Sequence, residues 1–168
     1  MKLLLCLLFF QALLLFLINN LSAEVYPIAP GDWTILKNKD NIYEKCDGIW
    51  MPGYNDAAIA LKAVFKYISD LPSNNAEKNY ILVNRKLFRA QFAGLTKGSN
   101  KEIFCNFFDR RMNAKQWKSE QVLTEDTEFY SWSMIYDPVK KICLSFTVNG
   151  RKLTDVIFDR ETLLWAMD

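Results

Sequence analysis

The spacing of apolar residues changes once along this 168-residue sequence, from helical to twofold, and the change limits the folds open to it. Between Asp56 and Asp70, apolar residues recur every three or four positions, which predicts a helix with one apolar face. We expect Asn55 or Asp56 to cap its first turn and Leu71-Pro72 to end it. From residue 80 onward apolar and polar residues alternate, which is typical of half-buried strands. The sequence therefore predicts a helix followed by a sheet.

Runs with strand character follow one another through the second half of the chain. They span residues 80–83, 88–92, 102–108, 129–136 and 142–148, with a weaker run at 117–123. The most apolar run, 102–108, is expected to be a central strand covered on both faces. A turn at residues 137–140 is expected to pair the runs on either side of it, and Asn149-Gly150 predicts a tight turn. Residues 153–158 would add a strand or a strand-to-helix switch, and 161–167 a helical turn.

The order of these elements predicts the α+β class. Residues 24–53 show no sustained period, so we expect an irregular segment there with one short strand over 33–36. One N-terminal helix would pack on a curved antiparallel sheet of four to five strands, the order shared by cystatin-like and nuclear-transport-factor-like proteins. This likeness concerns shape alone, because one fold carries many functions. Residues 24–168 are expected to form a single domain.

The first 23 residues have the layout of a secretory signal peptide. Lys2 precedes an apolar run from Leu3 to Ile18, and a short polar segment ends in Ser22-Ala23. This pattern predicts cleavage between Ala23 and Glu24 and export to the periplasm or the extracellular space. An uncleaved anchor is the alternative, but the run is short for crossing a bilayer.

Charge and composition exclude several classes of function. Removing residues 1–23 leaves 20 basic and 19 acidic side chains, a balance that argues against nucleic acid as a partner. The sequence contains no His, which excludes Ser-His-Asp and Cys-His catalysis and argues against a zinc site. No glycine-rich phosphate loop is present, so we expect no bound nucleotide. We also expect no other cofactor and no metal. Catalysis by carboxylate, Tyr, Lys or thiol groups remains open. The carboxylate candidates are Asp47, Asp56, Asp109, Asp137, Asp155 and Asp159. All lie in turn-like contexts that favour a structural role.

Three cysteines follow the predicted cleavage site: Cys46, Cys105 and Cys143. In an exported protein this number allows one disulfide and one remaining thiol, with three pairings. Cys105 and Cys143 both lie in strand-like runs and are the candidate pair. The alternative is that each is a small buried apolar residue.

Two groups of residues are candidates for binding. Tyr130, Trp132 and Tyr136 share a strand face and would either line a recognition surface or pack on the helix. Asn106 is an amide within an apolar run, so it either fixes a loop or points into a cavity, with Arg89 and Gln91 beside it. If the aromatic face packs on the helix, the hydroxyls of the opposite face would point to water: Ser131, Ser133, Ser145 and Thr147. If the two faces are reversed, these hydroxyls would surround a polar sheet surface that suits weak sugar or peptide binding better than catalysis.

Several segments together resemble a group of small exported bacterial proteins of unknown function. The shared features are Tyr80, Val83, Gln91-Phe92-Ala93-Gly94, residues 103–108, Trp117, Tyr136-Asp137-Pro138 and Val148-Asn149-Gly150. The resemblance covers residues 80–150 and implies a strand meander that closes on the Asn-Gly turn. It implies no catalytic or binding residue. The sequence departs from the group at Ser131, where a second cysteine would be expected to pair within the sheet.

From these exclusions we expect a noncatalytic binding protein, of an inhibitor or immunity type, that acts on another secreted or envelope protein. A small carboxylate-dependent hydrolase or isomerase with a conical sheet pocket is the alternative. A structural envelope component is a third interpretation.

Overall fold

The computed structural model describes residues 27–42, 44–112, 114–123 and 129–154. The predicted signal peptide with its cleavage site, Asp155, Asp159 and the predicted helical turn at 161–167 lie outside these residues. The described part is an α+β structure with two helices and seven strands. The helices are α1 (Tyr54–Asp70) and α2 (Ala76–Val83). The strands are β1 (Trp33–Ile35), β2 (Gly48–Trp50), β3 (Phe88–Lys97), β4 (Asn100–Asp109), β5 (Ser131–Asp137), β6 (Ile142–Val148) and β7 (Arg151–Thr154).

The seven strands form one mixed sheet in the order β1-β3-β4-β5-β6-β7, with β2 also paired to β3. β1 runs parallel to β3, and every other pairing is antiparallel. β1 pairs with residues 90–92 of β3 and β2 with residues 94–96, so the two short strands share one long neighbour. Gly94 permits the second pairing, because a Cβ there would collide with the carbonyl oxygen of Trp50.

Helix α1 confirms the prediction for residues 56–70 and begins two residues earlier. The N-cap residue is Gly53 instead of the expected Asn55 or Asp56. Asp56 lies in the first turn, where its carboxylate accepts a hydrogen bond from the Gly53 amide at 2.8 Å. Leu71-Pro72 follows the last turn, as expected. The helix lies across β4, β5 and β6. Its buried side chains are Ala57, Ala58, Ala60, Leu61, Val64, Phe65 and Ile68.

The side of the sheet that α1 covers, here called the helix face, is built from aromatic rings. Phe107 and Trp132 stack in parallel with 3.7 Å between ring centroids. Phe65 of α1 meets both rings edge-on, at 5.8 and 5.5 Å, a geometry that aromatic quadrupoles favour. Phe92 and Phe146 extend the same cluster. The main core therefore lies between α1 and the middle of the sheet.

The strand meander from β3 to β6 confirms most of the predicted strands. β4 is buried on both faces from Ile103 to Asp109, as expected for a central strand. The turn at residues 138–141 joins β5 and β6 in the predicted hairpin. Asn149 and Gly150 have positive φ values of 45° and 73°, which identifies the tight turn into β7. The turn between β3 and β4 is only two residues long, because β3 continues to Lys97 and β4 begins at Asn100.

Three expectations about local structure were wrong. Residues 80–83 belong to α2, because Asn75 caps that helix by accepting a hydrogen bond from the Lys78 amide at 2.7 Å. Residues 117–123 form turns rather than a strand. The alternation along β6 shifts at a bulge, where Ser145 is the extra residue between the partners of Met134 and Ile135. Leu144 therefore leaves the face of Phe146 and Val148, and Cys143 takes its place on the helix face.

The predicted fold class is confirmed at the level of α+β, with corrections to the sheet and the helices. The short strand predicted over 33–36 is β1. Strands β1 and β2 precede α1, so the helix is not the first element of the described chain. The sheet has seven strands instead of four to five and is mixed instead of antiparallel, because the irregular N-terminal segment contributes two of its strands.

Candidate functional site

A row of four polar side chains crosses the side of the sheet opposite α1, here called the loop face. Gln91, Asn106, Ser133 and Thr147 stand directly opposite one another on β3, β4, β5 and β6. Side chains alternate between the two faces of a strand, so the neighbours of these residues in the sequence point toward α1. The candidate site lies along this row.

Gln91 and Asn106 form the closed end of this row, where a loop is fastened over the sheet. The Gln91 amide group donates to the carbonyl oxygens of Trp117 and, at 2.6 Å, of Glu120. Its oxygen accepts from the Val122 amide at 2.8 Å and from Asn106 Nδ2 at 3.0 Å. Asn106 Nδ2 also donates to the Val122 carbonyl at 3.0 Å. Both side chains are buried, and their hydrogen bonds hold residues 117–122 in place.

Ser133 and Thr147 form the open end of the row. Both are half-buried, and within the described residues neither hydroxyl has a hydrogen-bond partner. They line a cleft of about 250 Å³, here called the hydroxyl cleft. The uncharged polar residues along it are Asn106, Gln121, Ser131, Ser133, Thr147 and Asn149, and Glu44 is its one charged residue among those described. Both amide protons of Asn106 are already used, so its Oδ1 is the atom left to accept a further bond.

The tight turn after β6 fixes the rim of the hydroxyl cleft. Asn149 Oδ1 accepts a hydrogen bond from the Ser131 amide at 2.9 Å, and the Asn149 amide donates to the Ser131 carbonyl at the same distance. The Ser131 hydroxyl lies 3.4 Å from Asn149 Oδ1. Ser131 is fully buried, so its role is to lock the turn rather than to meet a ligand.

The other half of the loop face is apolar and covered. Ala93, Phe104, Ile135 and Leu144 lie in a second row, opposite one another on β3 to β6. Leu36 and Ile42 pack on this row from the N-terminal segment and form a second, smaller core. The hydroxyl cleft thus lies beside this small core and beyond the loop that Gln91 holds.

The aromatic candidates lie mainly on the other side of the sheet. Trp132 and Tyr136 are each about 2% exposed and belong to the core under α1, although Trp132 also borders the cleft. Tyr130 is half-buried and its ring lies 4.2 Å from that of Tyr80; burial raises the pKa of Tyr130 to about 12. These rings pack beneath the helices, the alternative that the sequence left open.

Arg89 joins Gln91 and Asn106 on the loop face. Its guanidinium lies 5.0 Å from the centre of the Trp117 ring, and its Nε is 3.9 Å from the Asp32 carboxylate. It supports the same loop that Gln91 holds. The structure therefore brings Arg89, Gln91 and Asn106 together and separates them from the aromatic group.

The predicted disulfide is not formed. Cys46, Cys105 and Cys143 are free thiols. Cys105 lies on β4 and Cys143 on β6, with β5 between them. Two strand spacings amount to about 9.6 Å, beyond the usual Cα separation of a disulfide. Burial raises the pKa of Cys105 well above its usual value and that of Cys143 to about 12, so both behave as small apolar residues.

The described candidate carboxylates have structural partners. Asp109 pairs with the Arg111 guanidinium, which holds the pKa of Asp109 below its usual value. Asp137 accepts from the amides of Val139 and Lys140, each at 2.9 Å, and so shapes the β5–β6 turn. Asp47 accepts from the Gly98 amide at 2.7 Å, and Asp56 caps α1.

Sequence reasoning had identified the hydroxyl side chains of the cleft but missed Asn149, Gln121 and Glu44 as its lining. These residues come from two loops and a turn, and their positions depend on contacts over long sequence separations. The sequence pattern that could have indicated the site is the alternation in β3 and β4, which places Gln91 and Asn106 on one face of the sheet. Two amide side chains at paired positions of neighbouring strands indicate that polar groups of another segment pack on that face of the sheet.

No family model matches the chain, and neither a curated protein nor a solved structure resembles it closely enough to count as a match. The comparisons thus add no relative to the resemblance over residues 80–150. No helix among the described residues has the length and apolar character needed to cross a bilayer. The same residues hold no cluster of three or more His, Cys, Asp or Glu side chains suited to a metal ion.

Proposed function

We propose that this protein is a noncatalytic binding protein of an inhibitor or immunity type, acting on another exported or envelope protein. The hydroxyl cleft is the site where it would hold an extended segment of that partner. The observation that carries the proposal is the open end of the polar row, where the Ser133 and Thr147 hydroxyls and Asn106 Oδ1 are left without partners among the described residues.

The chemistry of these groups suits an uncharged polar ligand. A hydroxyl both donates and accepts, and the Asn106 oxygen accepts, so together they complement the N–H and C=O groups of a peptide main chain. Glu44 adds one acceptor at the border of the cleft. The sugar hydroxyls of a glycan have the same donor and acceptor character, and a glycan is therefore the ligand that the experiment must exclude.

The cleft is held in its binding conformation before any ligand arrives. Asn106 is fixed by Gln91 and by Val122, and the rim is fixed by the Ser131–Asn149 bonds. Groups already positioned lose less conformational entropy on binding, which favours affinity at a small site. This rigidity supports recognition of a defined segment.

The carboxylate-dependent enzyme receives less support from the described residues. General acid–base catalysis requires carboxylates that converge on a substrate. Asp47, Asp56, Asp109 and Asp137 are instead bonded to backbone amides or to Arg111. Asp155 and Asp159 lie outside the described residues.

Two further statements belong to this proposal. Export follows from the signal-peptide pattern of residues 1–23. The cystatin-like or nuclear-transport-factor-like arrangement also stays a proposal, supported by a helix that crosses three strands of a meander.

The test is capture of a partner by the purified protein from an envelope and secreted extract, with mass spectrometry of the bound species. The cleft variant combines Ser133→Ala with Thr147→Val, which removes two hydroxyls and changes little volume. The control combines Ser73→Ala with Ser99→Ala, two exposed residues in turns away from the cleft.

A protein retained by the wild type and the control, and reduced at least about tenfold by the cleft variant, supports the proposal. If the bound species were oligosaccharides and no protein were retained, the ligand would be a glycan instead of a protein. Equal capture by all three proteins would show that the cleft is not the binding site.

A further inference from the structure

A second cleft lies at the opposite edge of the meander, where β3 begins and β4 has just ended. Its walls come from the start of the described chain at 27–29, from the 3₁₀ turn Arg85–Leu87 and from Arg110. Its volume is about 280 Å³. We call it the basic cleft, because Arg85, Lys86 and Arg110 border it together with a single acid, Asp32.

The charges around the basic cleft are only partly neutralised. Arg110 pairs with Asp32, with 2.5 Å between Nη2 and Oδ2. Among the described residues neither Arg85 nor Lys86 has an ion-pair partner, and both are exposed. The rim therefore carries two uncompensated positive charges, on adjacent residues of one short turn. A site of this kind attracts an anion.

The floor of the basic cleft is apolar. Ile28 and Phe88 are about 2% and 1% exposed and belong to the main core, and Pro27 and Ala29 complete the lining. An apolar floor under a cationic rim favours a ligand that has both characters, because each part is then removed from water against a matching surface. A bare inorganic anion would leave the floor unused.

We propose that the basic cleft binds a carboxylate attached to a short apolar group. The carboxylate would pair with the Arg85 guanidinium and the Lys86 ammonium. The apolar group would lie on Pro27 and Ala29, above the buried Ile28 and Phe88. Arginine can bind a carboxylate through two parallel hydrogen bonds. The rim already contains one arginine–carboxylate ion pair, Arg110 with Asp32. This site does not depend on the hydroxyl cleft.

Two natural sources would present this chemistry: a free aliphatic acid, and the C-terminal end of a peptide with an apolar last residue. Hexanoate represents the first source and N-acetyl-leucine the second. Acetate has the charge without the apolar chain, 1-hexanol has the chain without the charge, and inorganic phosphate tests a bare anion.

The experiment is an NMR titration of the isotope-labelled protein with each probe. We expect hexanoate or N-acetyl-leucine to shift the amide signals of residues 85–88 and 110, with a dissociation constant of about 1 mM for so small a ligand. The double variant Arg85→Gln, Lys86→Gln should bind at least about tenfold more weakly. The control, Lys37→Gln with Lys45→Gln, removes the same charge from exposed positions elsewhere and should bind as the wild type does.

Binding of hexanoate alone would identify an aliphatic acid, and binding of N-acetyl-leucine alone a peptide terminus. Equal binding by the wild type and the Arg85, Lys86 variant would overturn the proposal. So would a site that takes phosphate or acetate as tightly as hexanoate, or the absence of shifts at residues 85–88 and 110 with every probe.

Discussion

The two faces of the sheet are covered in different ways, and the difference explains where a ligand can bind. On the helix face α1 packs its apolar side on aromatic rings, and α2 adds Ile81 to the same continuous apolar core. On the loop face the covering consists of irregular segments that reach only parts of the sheet. A helix satisfies its own backbone hydrogen bonds and can cover a sheet by side-chain packing alone. A loop needs further hydrogen bonds to hold it on the sheet, because its backbone groups also require partners.

The treatment of polar atoms shows the same contrast. On the helix face the buried indole N–H of Trp132 has no hydrogen-bond partner within the described part of the chain, and the side chain is held by apolar contacts of the main core. On the loop face Gln91 uses both its amide nitrogen and its oxygen. Packing thus stabilises one face and directed hydrogen bonds hold the other, so each face should respond to a different kind of substitution.

The largest effect is expected from Trp132→Ala on the helix face. Removing the indole deletes the stack on Phe107 and the edge contact with Phe65, leaving a cavity in the main core. We expect a loss of about 3–5 kcal/mol in the free energy of unfolding, measured by urea denaturation. Trp132→Phe keeps a ring and removes the unpartnered N–H, and should lose only about 1–2 kcal/mol. Equal losses in the two variants would mean that packing is not what stabilises this face.

A smaller loss is expected from Gln91→Leu on the loop face. The substitution leaves the carbonyls of Trp117 and Glu120 and the Val122 amide without their buried partner. We expect a loss of about 2–3 kcal/mol, with faster hydrogen exchange at the Val122 amide. Ser133→Ala, on the same row but with an unbonded hydroxyl, should change stability by about 0.5 kcal/mol or less.

The double variant Gln91→Leu, Asn106→Leu sharpens this comparison. Asn106 donates to Gln91, so the first substitution already removes one of its bonds and the second should add less than Asn106→Leu does alone. Strict additivity would show that the two amides do not act as one network.

The ion pair at the end of β4 tests the rim of the helix face. The Arg111 guanidinium lowers the pKa of Asp109, and a carboxylate with a lowered pKa stabilises the fold above its unfolded pKa of about 3.9. This contribution is lost as the pH falls through the folded pKa. Arg111→Gln should therefore lower the urea midpoint slightly at pH 7, and the difference from the wild type should vanish near pH 2. A difference that persists in acid would assign the effect of Arg111 to packing.

The sequence predicted correctly the elements that are determined by residues close to one another in the chain. Helix α1 follows from the spacing between Ala57 and Ile68 and from the break at Pro72, and the β5–β6 hairpin follows from its turn residues. The run Tyr80–Val83 was assigned to a strand because four apolar residues carry no distinct period, and the Asn75 cap decided otherwise. The bulge at Ser145 reversed the faces of one end of β6 without any sequence signal that we recognised.

The two clefts depend on contacts between distant segments and were less accessible to prediction. Asn106 was expected either to fix a loop or to face a cavity, and it does the first with Nδ2 while its Oδ1 is left for the second. The basic cleft combines Arg85 with Arg110, which lie on separate segments and meet only because β3 and β4 pair. Neither residue was a candidate in the sequence analysis.

The last prediction concerns the rates at which the cysteines are alkylated. These rates compare the two faces of the sheet without any substitution. Cys105 and Cys143 lie with the core of the helix face, and Cys46 packs beside the smaller core of the loop face. Burial raises the pKa of the first two thiols, and Cys105 is completely buried, so iodoacetamide at pH 8 should alkylate Cys46 first in the native protein. Peptide mapping by mass spectrometry identifies each labelled site.

In urea without a reductant, alkylation of all three cysteines would agree with free thiols. Protection of Cys105 and Cys143 until reduction would instead restore the disulfide expected from the sequence, and would require the strands between them to shift.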